Sequence, residues 1–261
     1  MIHAILPPEV VAVTDAELGL DEAAVLASLY PVEAEQIAGA VAGRRADFAW
    51  ARACAREAMT RLGVPSGPIV RGGRGMPVWP PGLVGTLTHT DGLRAAALAP
   101  ADRVRSVGLD VEPHEALAAG VLEAVSLPEE AAWVRAISAE MGSVHWDKLL
   151  FTAKEATYKA WFPLTRRWLG FEDAHITLVP DLRRGAGRAG TRQDDHGGHR
   201  DDNDDATTVI TGSLRSRILV DPHAVDGGPD LLVFDGRWVV RDGYIASSIV
   251  LGRPGVDSVG P

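Results

Sequence analysis

Apolar residues recur at helical spacing between Ala34 and Leu62, with Ile37, Val41, Phe48, Ala51, Ala55, Met59 and Leu62 on one stripe. Gly63 and Pro65 close the segment, so a long helix over 34–62 is predicted. Arg44 lies within the stripe and Arg52 at its edge. An arginine on an apolar face is costly unless it snorkels out, pairs with a carboxylate or meets an anion. A second helix is predicted over 144–161, ending or kinking at Pro163. Strict alternation over 106–112 predicts a strand, with Val107, Leu109 and Val111 on one face and Ser106, Gly108, Asp110 and Glu112 on the other.

Other segments complete an α+β pattern. Strands are predicted over 2–13, 82–90, 94–99, 175–180, 208–220, 231–234, 237–241 and 244–251, and a short helix over 21–29. Residues 114–142 read as helical, punctuated at Pro128, with Trp133, Val134 and Ile137 packing. Asp235-Gly236 and Asp242-Gly243 are hairpin signals. The aromatic turn from Trp168 to Phe171 reads as core. The stretch 181–206 is rich in Arg, Gly and Asp and reads as a disordered insertion, because its composition cannot offset the entropy of ordering. That reading outweighs a metal site at His196 and His199.

Composition narrows the class. At 261 residues the chain can bury a sizeable core. A formal net charge of −9 argues against non-specific nucleic-acid binding, though not against a local phosphate pocket. With Cys54 as the one cysteine, no internal disulfide forms, and a reducing, cytoplasmic setting is expected. Met1 to Val13 lacks a basic leader and contains Pro7-Pro8, and no apolar run reaches bilayer length, so no membrane partner is expected.

Two stretches carry chemistry. Asp110 and Glu112 share a strand face roughly 6–7 Å apart, which is repulsive unless a proton or cation intervenes, and Gly108 is expected to leave open space beside them. Glu155 and Lys159 share a helix face, and alone they read as a surface ion pair. A hard cation suits Asp110, Glu112 and Glu155, since no His or Cys cluster competes. Arg71-Gly-Gly-Arg-Gly lacks the spacing of a nucleotide loop and reads as a surface turn, and a lone His89 reads as structural.

The ordered set V-G-L-D-V-E at 107–112 and F-x-x-K-E-A-x-x-K at 151–159 resembles the 4′-phosphopantetheinyl transferases, specifically the monomeric type serving siderophore, polyketide and nonribosomal peptide synthases. Arg74-Gly-Met-Pro-Val-Trp-Pro80, Gly85-Thr-Leu-Thr-His89 and Phe162 to Asp173 extend the resemblance. It implies an α+β fold of two pseudo-symmetric halves, each an antiparallel sheet with a long helix: residues 1–105 as a coenzyme A nucleotide clamp and 106–261 as the catalytic half. It implies that Arg44, Arg52, Arg74, Gly75, Met76, Pro77, Thr88 and His89 contact coenzyme A, with Asp110, Lys154, Glu155 and Lys159, or that Lys154 only supports Glu155. Arg45 replaces Arg44 if the register shifts by one. Asp110, Glu112, Glu155 and the Val111 carbonyl are the implied ligands of Mg²⁺, for which Mn²⁺ substitutes. The implied catalytic residues are Glu155, Lys159 and Asp110, and the implied partners are apo acyl carrier proteins and peptidyl or aryl carrier domains. Two rival readings use the same residues: a Mg²⁺-dependent nucleotide pyrophosphohydrolase, and a non-catalytic coenzyme A-binding, carrier-docking protein.

Overall fold

The computed structural model describes residues 1–181 and 209–253. The chain opens with β1 (Val11–Thr14), the short helices α1 (Glu22–Ala27) and α2 (Pro31–Glu35), and the long α3 (Ala42–Arg61). A two-stranded ribbon, β2 (Val70–Arg71) with β3 (Pro77–Val78), leads into β4 (Leu83–Thr90), β5 (Leu93–Pro100) and β6 (Val104–Pro113). Helices α4 (Val121–Val125), α5 (Pro128–Glu140) and α6 (Trp146–Thr165) follow, then β7 (Ala174–Pro180), β8 (Ile210–Ile218), β9 (Val233–Arg241) and β10 (Tyr244–Gly252).

The remaining strands form two antiparallel sheets of unequal size, β1-β5-β4 and β6-β10-β9-β8-β7. Each carries one long helix. Cys54, Ala55, Ala58 and Met59 of α3 share a core with Val13, Ala96 and Leu98. Trp146, Leu149, Ala153 and Trp161 of α6 share another with Leu214, Phe234, Trp238 and Ile249. A third core joins the halves, because the alternation of β6 turns Val107, Leu109 and Val111 toward Ala95, Ala97 and Ala99 of β5.

The opposite face of β6 meets α6 directly. Gly108 does not open space beside the carboxylates: a Cβ built there would lie 2.0 Å from the Ala156 carbonyl oxygen. Its lack of a side chain lets helix and strand backbones touch, and the Ser106 hydroxyl donates to the Ala160 carbonyl at 2.8 Å. We expect Gly108→Ala to cost about 1–3 kcal/mol through overpacking, read as a lower urea midpoint with an unchanged denaturant slope. A stable variant with wild-type activity would mean the helix can shift freely.

Some expectations need correction. The first long helix begins at Ala42, not Ala34, because residues 31–41 are diverted toward β2, with Gln36 Oε1 accepting from the Arg71 backbone at 2.8 Å. Arg44 is therefore an exposed residue in the first turn of α3 and not a member of a buried stripe. The single strand expected over 2–13 is a 3-10 turn followed by β1. Helix α6 runs through Pro163 to Thr165 and is capped by Arg166, whose backbone is left-handed. Asp235-Gly236 lies inside β9, where a Cβ at 236 would meet the Ser248 carbonyl at 2.1 Å; the actual hairpin is at Asp242-Gly243. Trp168 is 58% exposed rather than core. The insertion reading falls, apart from Asp181, outside the described residues. No helix among the described residues is long and apolar enough to cross a membrane.

Candidate active site

A cavity of about 350 Å³ lies between α3 and α6 over β4. One end is cationic. Arg44 and Arg71 line it with Phe48. The first turn of α3 holds no acidic residue, so its backbone N–H groups and Arg44 present positive charge; the acid that follows in the lining, Asp47, is paired with Arg94 at 2.8 Å. Burial, and next the neighbouring Arg44, pull the Arg71 guanidinium below its ordinary range. Such a group of cations calls for an anion. Arg44 lines the cavity and Arg45 does not. Gly75, Met76, Pro77 and His89 also reach the wall. Arg74 adopts φ 52° and stands 5.2 Å over the Trp168 ring, bridging the cleft mouth.

Glu155, Tyr158 and Lys159 of α6 form the other end. Lys159 Nζ donates to Asp110 Oδ1 at 2.7 Å and to the Leu109 carbonyl at 3.1 Å. Thr88 donates to the same Asp110 oxygen at 3.2 Å and accepts from the Val111 backbone at 3.3 Å. The second oxygen, Oδ2, is buried without a partner. Glu112 lies 3.6 Å from Lys148 Nζ. Burial first, then Asp110, pushes both Glu155 and Glu112 above the usual carboxylate range. The three acids thus repel one another, and two lysines hold them.

The expected clamp divides. Arg52 lines the cavity, but its Nε donates to the Ile69 carbonyl at 2.8 Å, its Nη1 to Phe48, and its charge faces buried Glu33 at 3.9 Å. Burial pulls this guanidinium down to about 9, opposed by Glu33, so it stays charged at neutral pH. Thr88 supports Asp110 rather than lining the cavity. Lys154 departs most from expectation. It is buried behind α6, donating to Phe171 and Ala174 carbonyls and to Glu130. Its place on the helix, one position from Glu155, turns it by about 100° from the cleft.

Sequence reading overlooked Arg71, Tyr158 and Lys148. Tyr158 and Lys148 carried a signal, since Lys148 and Glu155 stand two turns apart on one helix face and Tyr158 follows Glu155 by three. Arg71 had none beyond its glycine-rich setting.

Among the described residues, no three His, Cys, Asp or Glu side chains form a ready metal cage. The all-oxygen donor set, its mutual repulsion and the unpartnered Asp110 Oδ2 nevertheless fit a hard cation whose shell is completed by substrate phosphates.

Comparison with known proteins gives the family. Residues 32–99 match the 4′-phosphopantetheinyl transferase N-terminal domain and residues 106–209 the 4′-phosphopantetheinyl transferase superfamily. The chain is 45% identical to the 4′-phosphopantetheinyl transferase Npt of Nocardia iowensis over 95% of its own length and 99% of the relative's. It is 48% identical to PptT of Mycobacterium tuberculosis over 85% of each chain. Identity to Svp of Streptomyces mobaraensis is 40%, over 97% of this chain and 90% of that one.

Proposed function

This chain belongs to the 4′-phosphopantetheinyl transferases, and we propose that the cleft between α3 and α6 is where it grips coenzyme A while passing the phosphopantetheine arm to a carrier protein. One observation carries this placement. A single cavity is lined by Arg44 and Arg71 near Phe48 and by Glu155 and Lys159 of α6, with Asp110 held behind the wall by Lys159. The 3′-phosphate and nucleotide suit the first, and the reacting pyrophosphate suits the second.

In the reaction the carrier serine oxygen bonds to the β-phosphorus, and the bond from that phosphorus to the bridging oxygen breaks. The product 3′,5′-ADP leaves with that oxygen. Glu155 takes the serine proton; its raised pKa brings it closer to the operating pH than a free glutamate. Lys159 supplies a point charge to phosphate oxygens and orients Asp110. Asp110, Glu155 and Glu112 would hold Mg²⁺, or Mn²⁺ in its place. When bound, that ion supplies Lewis-acid polarisation of the phosphate. Because the Val111 N–H serves Thr88 rather than β10, its carbonyl is turned to the same edge and remains a candidate ligand. Thr88 keeps the Asp110 carboxylate in place.

The test is to incubate the protein with coenzyme A, Mg²⁺ and an apo carrier protein and weigh the carrier. A gain of one phosphopantetheine arm with release of 3′,5′-ADP is expected, and chelation should abolish it. Nucleotide cleavage without carrier would select hydrolysis instead. Coenzyme A binding without turnover would leave only a docking role.

A further inference from the structure

We propose that Lys154 is a positioning residue working from outside the cleft: paired with Glu130, it holds the 170–174 turn and thereby sets the Tyr158–Trp168 wall beside Glu155. The inference deepens the proposed function and rests, in one of its tests, on the placement of coenzyme A given above.

Lys154 has no capacity left for a substrate. Its side chain is 2% exposed, and its three N–H groups are all used, on Glu130 Oε2 at 2.6 Å, the Phe171 carbonyl at 2.6 Å and the Ala174 carbonyl at 2.8 Å. Glu130 is equally committed. Its Oε1 accepts from the Ile176 backbone at 2.6 Å and its Oε2 from the Leu127 backbone at 2.7 Å. The pair therefore ties together the start of α5, the middle of α6, the 170–174 turn and the start of β7. A buried ion pair is weak evidence of net stabilisation, but removing one partner strands the other's charge. Its bonds to four backbone groups point to a use in specifying geometry.

The geometry it specifies borders the reacting groups. The turn leads back through buried Leu169 to Trp168, whose ring is 5.1 Å from Tyr158. Between the turn and α6 is a cavity of about 70 Å³ that Lys154, Glu155, Tyr158 and Trp168 line. Lys154 is thus part of the foundation of a wall that adjoins Glu155, one side chain away on the same helix. If the turn moves, Trp168 and its packing against Tyr158 move with it.

The test uses Lys154→Met, Glu130→Gln and the double variant, assayed with full-length protein well below each melting temperature. Lys154→Met should lower kcat/KM for coenzyme A about ten- to hundredfold, while the affinity for 3′,5′-ADP, measured by calorimetry, stays at the wild-type value. Glu130→Gln, which leaves Lys154 charged, should also lower kcat/KM. The double variant should lie closer to wild type than Lys154→Met, because no charge is stranded. A phosphate-binding Lys154 predicts the reverse: no loss in Glu130→Gln and no recovery in the double variant. Either result overturns the proposal. A purely structural Lys154 predicts weakened 3′,5′-ADP binding alongside the loss of turnover, and that also overturns it. If Lys154→Met does not fold, Glu130→Gln alone decides. The Glu130→Gln and rescue measurements do not use the placement of coenzyme A. Failure of wild type to bind 3′,5′-ADP would therefore count against the placement alone.

Discussion

Glu155→Gln should reduce transfer by about a hundred- to a thousandfold while making the metal-free protein more stable. The activity loss follows from removing the proton acceptor and an anionic oxygen at the acidic end of the cavity. The stability gain follows from electrostatics. Burial and then Asp110 raise the pKa of Glu155 in the folded state. The folded protein therefore binds this proton more tightly than the unfolded chain does. Its contribution favours folding at low pH and is lost as pH rises from the unfolded value near 4.5 through the raised one. At neutral pH the ionised side chain is a net cost, and glutamine removes it. Each 1 kcal/mol of relief would raise Tm by about 2–4 °C for a chain of this size. In contrast, Asp110→Asn should lose as much activity but lower Tm, because Asp110 anchors both Lys159 and Thr88. Thermal unfolding in chelator, paired with the carrier mass assay, reads both effects. A Glu155→Gln protein that transfers within tenfold of wild type, or melts earlier in chelator, would remove Glu155 from the role given to it.

The second large effect separates the two α3 arginines to which the family resemblance gave the same role. Arg44→Ala should lower kcat/KM for coenzyme A about ten- to a hundredfold, the value of one charge-assisted contact of about 1.5–3 kcal/mol, and barely change it for dephospho-coenzyme A. Arg44 is exposed, lines the cavity and supports no other element, so Tm should hold. Arg52→Ala should instead impair both substrates and lower Tm, since it strands Glu33 and frees the Ile69 carbonyl. Glu33 keeps Arg56 at 3.1 Å, which limits but does not abolish that loss. Equal losses on the two substrates for Arg44→Ala would move the 3′-phosphate contact elsewhere, with Arg71 the next residue to test.

Much of this protein was legible without coordinates, for local physical reasons. The period-two pattern of β6 determined which of its side chains face the inter-sheet core and which face α6, and that assignment holds residue by residue. The i,i+4 spacing put Glu155 and Lys159 on one helix face, and both line the cavity. Asp242-Gly243 makes its hairpin because both residues take positive φ, a local requirement that the residue types announce. Family motifs, read in order, identified the enzyme class.

Tertiary contacts decided the remainder. Asp235-Gly236 has the same composition as a hairpin turn, yet Gly236 is needed for the close approach of β10, which no local pattern records. Gly108 reads as an opening from sequence and is in fact a contact, because the residue that fills the space lies nearly fifty positions later on α6. Lys154 and Lys159 stand in one motif with the same charge. They differ because a helix turns by about 100° per residue, so one lysine faces Glu130 and the 170–174 turn while the other faces Asp110. Arg44 and Arg52 are likewise two turns apart on one helix, and the partner determines their roles: Glu33 of α2 and Ile69, just before β2, bind one, and the open cavity is left to the other. Sequence determined residue type, period and family; burial and partner, which depend on distant segments, assigned each charged group its use.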